Sequence, residues 1–509
     1  MKFRRRVRTT RDLFGLSIAT HVFLWIFAGL AVVAITLLLF WISFDKPHLQ
    51  SQAAKGVGPA ALFNAAKLAL AVVAGIGGVV ALVVAFRRQR LGEADHERQD
   101  RATARDETRL FTERFSRATE QLGSDQAAVR IAGVYALAGL ADDWPSGRQT
   151  CVDVLCAYLR MPFQLRSPLP DYEPEGQEDK QRIADLRASM ENPVGGRMAY
   201  PANEEHQVRS TILRAIWDRM SQHSEVQWSG LNLDFTGAVF DEAKFDEFIF
   251  VNCSVKFGDC LFVGETTFAE ARIVDNSSLW FTGSVFLDDL SFESTYIDDS
   301  RVTLLGAYGG EVTFEKCWLR SGEIELLGPK DEHGSISFVE STLEVGEVTI
   351  HLANMTGESS IDFSRSTITG AEIAIHGGTF YGGTIVFNGV KVNGGLISFK
   401  PHEYFDRDKM RFSGTEISFD GFALRRGSIR FDSIDAEGSS IHFDDLEMTG
   451  GEIRFVDVDL KSDSFRMDRP GVTGGSIDLG EIARTKSGQV IASEIGEFVR
   501  PVAPLEDVG

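Results

Sequence analysis

The sequence predicts a membrane-anchored repeat protein: two transmembrane helices, a small α-helical region, and then a long solenoid of short strands. Three observations predict it. Two long apolar runs, 13–44 and 60–86, stand near the N-terminus. Large apolar residues then recur at strict fives, as Phe235, Phe240, Phe245, Phe250 and Val255. Beyond residue 300 they recur at twelves, as Phe314, Leu326, Phe338 and Ile350. Self-similarity at a fixed period marks stacked units that bury one shared core.

A basic tail, 1–12, opens the chain. From Leu13 to Phe44 no residue is charged, and a membrane crossing needs roughly 20 apolar residues. The run is far longer than the ~7–15-residue apolar core of a signal peptide. After a short loop, 45–59, the second run contains Lys67, yet Leu68 to Phe86 alone supplies 19 uncharged residues. Lys67 can snorkel to the membrane surface. Lys2, Arg4, Arg5, Arg6, Arg8 and Arg11 precede the first run, and Arg87, Arg88 and Arg90 follow the second. The positive-inside bias therefore places both termini in the cytoplasm, in a multi-pass protein of the inner (plasma) membrane. Ala71, Gly75, Gly77 and Gly78 give the second run a small-residue face, through which an oligomer could form.

Charge divides the remainder. Residues 1–227 carry 29 Lys+Arg against 25 Asp+Glu, whereas 228–484 carry 21 against 44. So acidic a body repels nucleic acid, and direct nucleic-acid binding is not expected. Residues 87–162 read as helices: Leu110, Phe111, Phe115, Ala118 and Leu122 fall on one side at helical spacing, and Gly123-Ser124-Asp125 stops that helix. A Pro-, Glu- and Asp-rich linker, 163–203, leads to a helix in 204–227 placed to cover the first exposed edge of the repeat.

In the first repeat block, 228–300, the residues two before each large one are Leu233, Ala238, Ala243, Phe248 and Cys253. This spacing resembles the pentapeptide repeat, which implies a right-handed parallel β-helix with four fives to one square turn. The order of two spans, FTERFSRATEQLGSDQAAVRIAGVYALAGLADD, and a helix entering fives is similar to bacterial membrane-anchored pentapeptide-repeat proteins. In the second block, 301–484, each twelve is a five plus a seven closed by Gly-Gly or Ser-Gly, as in GGTIVFNGVKVNGG. Phe alternates with aliphatics along those units, so a 24-residue turn would stack the Phe rings in one column. Residues 485–509 form a tail.

Chemistry is sparse. Cys151, Cys156, Cys253, Cys260 and Cys317 form no CxxC pair, and the ten histidines are scattered, so neither a zinc site nor a disulfide framework is expected. No catalytic, metal or cofactor residues are assigned. The rhythm slips at KPHEYFDRDKMRF, where His402, Glu403, Tyr404, Asp406, Arg407 and Asp408 form a candidate contact loop. The expected function is a non-enzymatic scaffold for an unidentified protein partner. The alternatives are a DNA-mimicking regulator of gyrase and, behind it, a carbohydrate-active β-helix enzyme.

Overall fold

The computed structural model describes residues 59–162, 202–328, 334–401, 409–436, 438–460, 464–480, 482 and 496–499, with scattered positions inside 27–42 and 180–188. The chain forms two compact units, Met1–Leu110 and Phe111–Gly509.

In the first unit, helix α1 (Pro59–Leu122) begins and continues for 64 residues. Among the described residues it contains the one helix long and apolar enough to cross a membrane, over Leu70–Gln89. Most of the first apolar run lies outside the described residues. Where its Gly29 is described, an added Cβ would meet Ile76 Cδ1 at 3.6 Å, whereas one on Gly75, Gly77 or Gly78 would meet no described atom within 4 Å. Among the described residues, the contact seen between the two runs is made by Ile76.

The second unit is a helical cap on a right-handed parallel β-solenoid. Down one face the paired residues run Asn232, Ser254, Ser278, Arg301 and Glu323. They continue through Glu347, Glu372, Leu396, Ser428, Glu452 and Ser476. Each step is 22 to 25 residues except that from Leu396 to Ser428, which is 32. One turn is therefore about two twelves, and the twelve-residue beat is half of it. The added length falls between Pro401, paired on the first face, and Arg411, paired on the second. The single extra residue between Ile350 and Phe363 appears as a bulge between Gly357 and Ser360.

Each turn has four faces. In the first complete turn the strands are Asn232–Asp234, Val239–Phe240, Ala243–Lys244 and Ile249–Val251. Later strands run around corners, so Glu347–Asp362 covers three faces at once. Alternation puts one side of every strand inside, and Leu233, Ala238, Ala243, Phe248 and Cys253 are all buried there. A single Phe ladder rises on the third face through both repeat blocks. Phe245, Phe268, Phe292, Phe314 and Phe338 stack at 4.7–4.8 Å. Phe363, Phe387, Phe419 and Phe443 extend it at 4.5–5.0 Å. The rings lie nearly parallel because turn spacing and strand register leave each one directly above the last.

Helices α2 (Ala127–Asp143), α3 (Arg148–Leu159) and α4 (Ala202–Met220) close the N-terminal end. Each face's open edge receives a bond from the cap. Gln149 donates to Asn232 O and accepts from Asn232 N, as a neighbouring strand would. Arg209 donates to Val239 O at 2.9 Å, and Trp217 Nε1 to Asp246 O at 2.8 Å. Ser221 forms an antiparallel bridge with Phe248. The long motif quoted above builds this cap. A Cβ on Gly133 would sit 2.5 Å from Leu122 N, so only glycine lets α2 lie so close to the end of α1. Arg130 is buried and donates to Ser124 O and Asp125 O, with Glu205 3.5 Å away. Glu205 also accepts from Tyr158 OH. At the far end Val499 pairs in parallel with Ile477, covering part of the last edge.

Candidate functional site

The corner between the fourth and first faces is built from inside by small polar residues. Cys253 N donates to Ser277 Oγ at 3.0 Å, and Ser277 N to Ser300 Oγ at 3.1 Å. Ser277 Oγ in turn has Val274 O at 2.7 Å and Phe250 O at 3.0 Å as acceptors for its one proton. These bonds satisfy backbone groups that turn away from the ladder, which buried corners require. The residue just before each of them takes a left-handed conformation: Asn252 at φ 52, Asn276 at φ 64 and Asp299 at φ 46. Asn and Asp tolerate that region better than other side-chain-bearing residues. The corner thus holds an exposed column of polar side chains at turn spacing.

Beside this column lies an open groove of about 500 Å³, lined among others by Asn252, Asn276, Trp280, Asp299, Arg301 and Glu323. Trp280 is half-buried, and the guanidinium carbon of Arg301 stands 5.9 Å from the centre of its ring. Arg301 is also paired with Glu323 at 2.5 Å. On the adjoining fourth face, Arg272 stands 5.0 Å from the centre of the Tyr296 ring, and Tyr296 meets Trp318 edge-on at 5.5 Å. The bond from Ser321 Oγ, joined by Arg320 at 2.9 Å, holds the Asp298 carboxyl below its ordinary range despite some burial.

Other outward acids knit successive turns together. Glu293 pairs with Lys316 at 2.8 Å, Glu340 with Arg365 at 3.0 Å, and Asp435 with Arg411 at 3.0 Å. Neighbouring acids in the sequence are tied down in the same way. Asp289 accepts from Glu311 N, Asp444 pairs with Arg466 and Asp445 with Arg469. Asp331-Glu332 lies outside the described residues, as does the whole candidate contact loop His402 to Asp408.

The cysteines are structural. All five are buried and free of disulfides. Burial raises the thiol pKa of Cys317 to about 12 and that of Cys156 to about 12. The reactive thiolate is therefore disfavoured at neutral pH. Among the described residues no group of three or more His, Cys, Asp or Glu is placed to hold a metal ion.

Asn252, Asn276 and Trp280 are not apparent from the sequence, because the repeat marks its inward positions. A signal is present: Asn252-Cys253-Ser254 and Asn276-Ser277-Ser278 stand 24 residues apart, one turn of the solenoid. Compared with protein-family models, curated proteins and solved structures, the chain matches none.

Proposed function

We propose that this chain is a non-enzymatic scaffold of the bacterial membrane-anchored pentapeptide-repeat kind, tethered by two N-terminal spans with both termini in the cytoplasm. Its acidic solenoid presents a rigid surface to a protein partner. The observation that carries the reading is the unbroken Phe ladder from Phe245 to Phe443, which fixes the outward residues of every turn at a constant spacing. Such preorganised surfaces lower the ordering cost of binding. The turn-to-turn ion pairs and buried thiols are consistent with side chains committed to structure.

Site-specific photocrosslinking from outward positions in intact membranes tests the reading. One reproducible partner, crosslinked from neighbouring turns of one face, is the expected result. Recovery of no partner together with a catalytic activity of the purified chain would overturn it. A reporter fused after Gly509 should be active in the cytoplasm; periplasmic activity would remove the orientation and revive a carbohydrate-active enzyme. Inhibition of DNA supercoiling at micromolar protein would favour the gyrase alternative instead.

A further inference from the structure

We infer that the groove at the fourth-to-first corner binds an extended, arginine- or lysine-bearing polypeptide segment. The inference rests on the scaffold reading and names the chemistry of the partner at one place.

Three features of the groove converge on that ligand. The first is the amide column. Asn252 and Asn276 stand on neighbouring turns, both exposed and both in a left-handed backbone conformation. A carboxamide offers two donors and an acceptor, so two of them at the ~4.8 Å spacing of adjacent strands can clamp the N–H and C=O groups of an extended backbone. Such contacts are independent of the bound sequence and set its direction.

The second feature is the indole. The chain's own Arg301 already places a guanidinium 5.9 Å from the Trp280 ring centre while pairing with Glu323. The seat therefore has the composition a cationic side chain needs: an aromatic face for the planar group and a carboxylate for its charge. Arg301 is exposed and can swing aside, leaving Trp280 and Glu323 to an incoming residue. Asp299, one turn from Asn276, supplies a second carboxylate on the same wall.

The third is the field. Residues 228–484 carry 44 acidic against 21 basic side chains. Such a body draws cationic segments in and repels anionic ones before any contact forms. A neutral glycan could use the amides and the indole and donate hydroxyls to the carboxylates, but would gain nothing from the field.

The test uses the full chain in detergent micelles at physiological ionic strength. The probe is a fluorescein-labelled 12-residue peptide alternating arginine with serine, beside its glutamine-for-arginine counterpart and the neutral sugar maltohexaose. Fluorescence anisotropy should show micromolar binding of the arginine peptide, with the glutamine peptide about tenfold weaker or worse. Trp280→Ala should weaken binding about 3- to 10-fold, and Trp280→Tyr should restore most of it, which separates lost stacking from lost fold. The double replacement Asn252→Ala with Asn276→Ala should weaken it to a similar degree with the salt dependence unchanged. Asp444→Asn with Asp445→Asn, many turns away, should leave it within about twofold. Equal binding by all variants would mean diffuse charge attraction and would overturn the groove, as would binding of maltohexaose without the peptide. Loss of groove binding with membrane crosslinks intact would sink this inference alone. Intact peptide binding with no crosslinked partner and a catalytic activity of the purified chain would sink the scaffold reading instead.

Discussion

The two repeat blocks turn the same corner by different chemistry. In the first, Asn252, Asn276 and Asp299 carry the positive φ, at 46 to 64, and each is followed by a buried Cys or Ser. In the second, the positive φ moves one position later and widens, to 119 at Gly322, 96 at Gly395, 98 at Gly427 and 86 at Gly451. Only glycine accepts those angles without strain. It also lets the backbones touch: a Cβ on Gly395 would sit 2.2 Å from Ala371 O. The first block thus keeps Asn or Asp at a corner position where the second mixes Gly370, Gly394 and Gly450 with Ser321, Val345 and Arg426. The interiors differ too. Phe235, Phe257 and Phe281 form one early column and Phe240, Phe262 and Phe286 another, beside the continuous ladder. Beyond them the first column passes to Leu304, Leu326, Ile350 and Ile375 before Phe399 restores it. One four-sided turn thus accommodates two corner chemistries and two interiors.

The largest effect should come from what the blocks share. Phe338→Ala empties the middle of the ladder and should cost about 3–5 kcal/mol, read as a lower denaturant midpoint of the full chain in detergent. Next comes the corner swap. Gly395→Asn meets both the wide φ and Ala371 O, and should cost about 2–4 kcal/mol. Its mirror, Asn276→Gly, should stay within about 1 kcal/mol. Equal costs in the same assay would erase the distinction drawn between the blocks.

Smaller effects sharpen it. Ser341 Oγ accepts from Cys317 N and donates to Phe314 O inside the neighbouring corner. Ser341→Ala should therefore cost about 1–3 kcal/mol by leaving buried groups unpaired. Weakest should be the ion pairs. Asp444 is pushed up by burial, but bonds from Arg466 and Asp468 N prevail and hold its pKa below the ordinary 3.8. A depressed carboxylate stabilises the fold fully above its unfolded value, and the contribution fades as pH falls through the folded one. Asp444→Asn should thus lower the midpoint slightly at neutral pH and match the wild type in strong acid. Arg466 is half-exposed, so screening keeps the difference at or below about 1 kcal/mol.

The fold was largely legible because its core is periodic. Phe314, Phe338, Phe363 and Phe387 stand about 24 residues apart, and only a turn of that length stacks them. That Phe245 belongs to the same ladder was not legible, since the fives of the first block hide the longer period. The cap's bonds to each strand edge were also out of reach. Gln149 and Arg209 acquire meaning only when helices far apart in sequence meet the first turn. The candidate groove was missed for a related reason. Outward positions follow no hydrophobic rule, so Trp280 and Asn276 look like any surface residues until their neighbours on adjacent turns are known.

Both blocks belong to a single solenoid in continuous register. Ser291 and Thr313 straddle their boundary, are paired on adjacent strands of the third face, and both side chains face outward. The five native thiols are buried, so two introduced cysteines can be followed by oxidation alone. Ser291→Cys with Thr313→Cys should form a disulfide rapidly in the full chain, and Ser291→Cys with Thr303→Cys, set by a twelve-residue turn, should not. The opposite preference would contradict the four-sided turn and with it the placement of every outward residue named above.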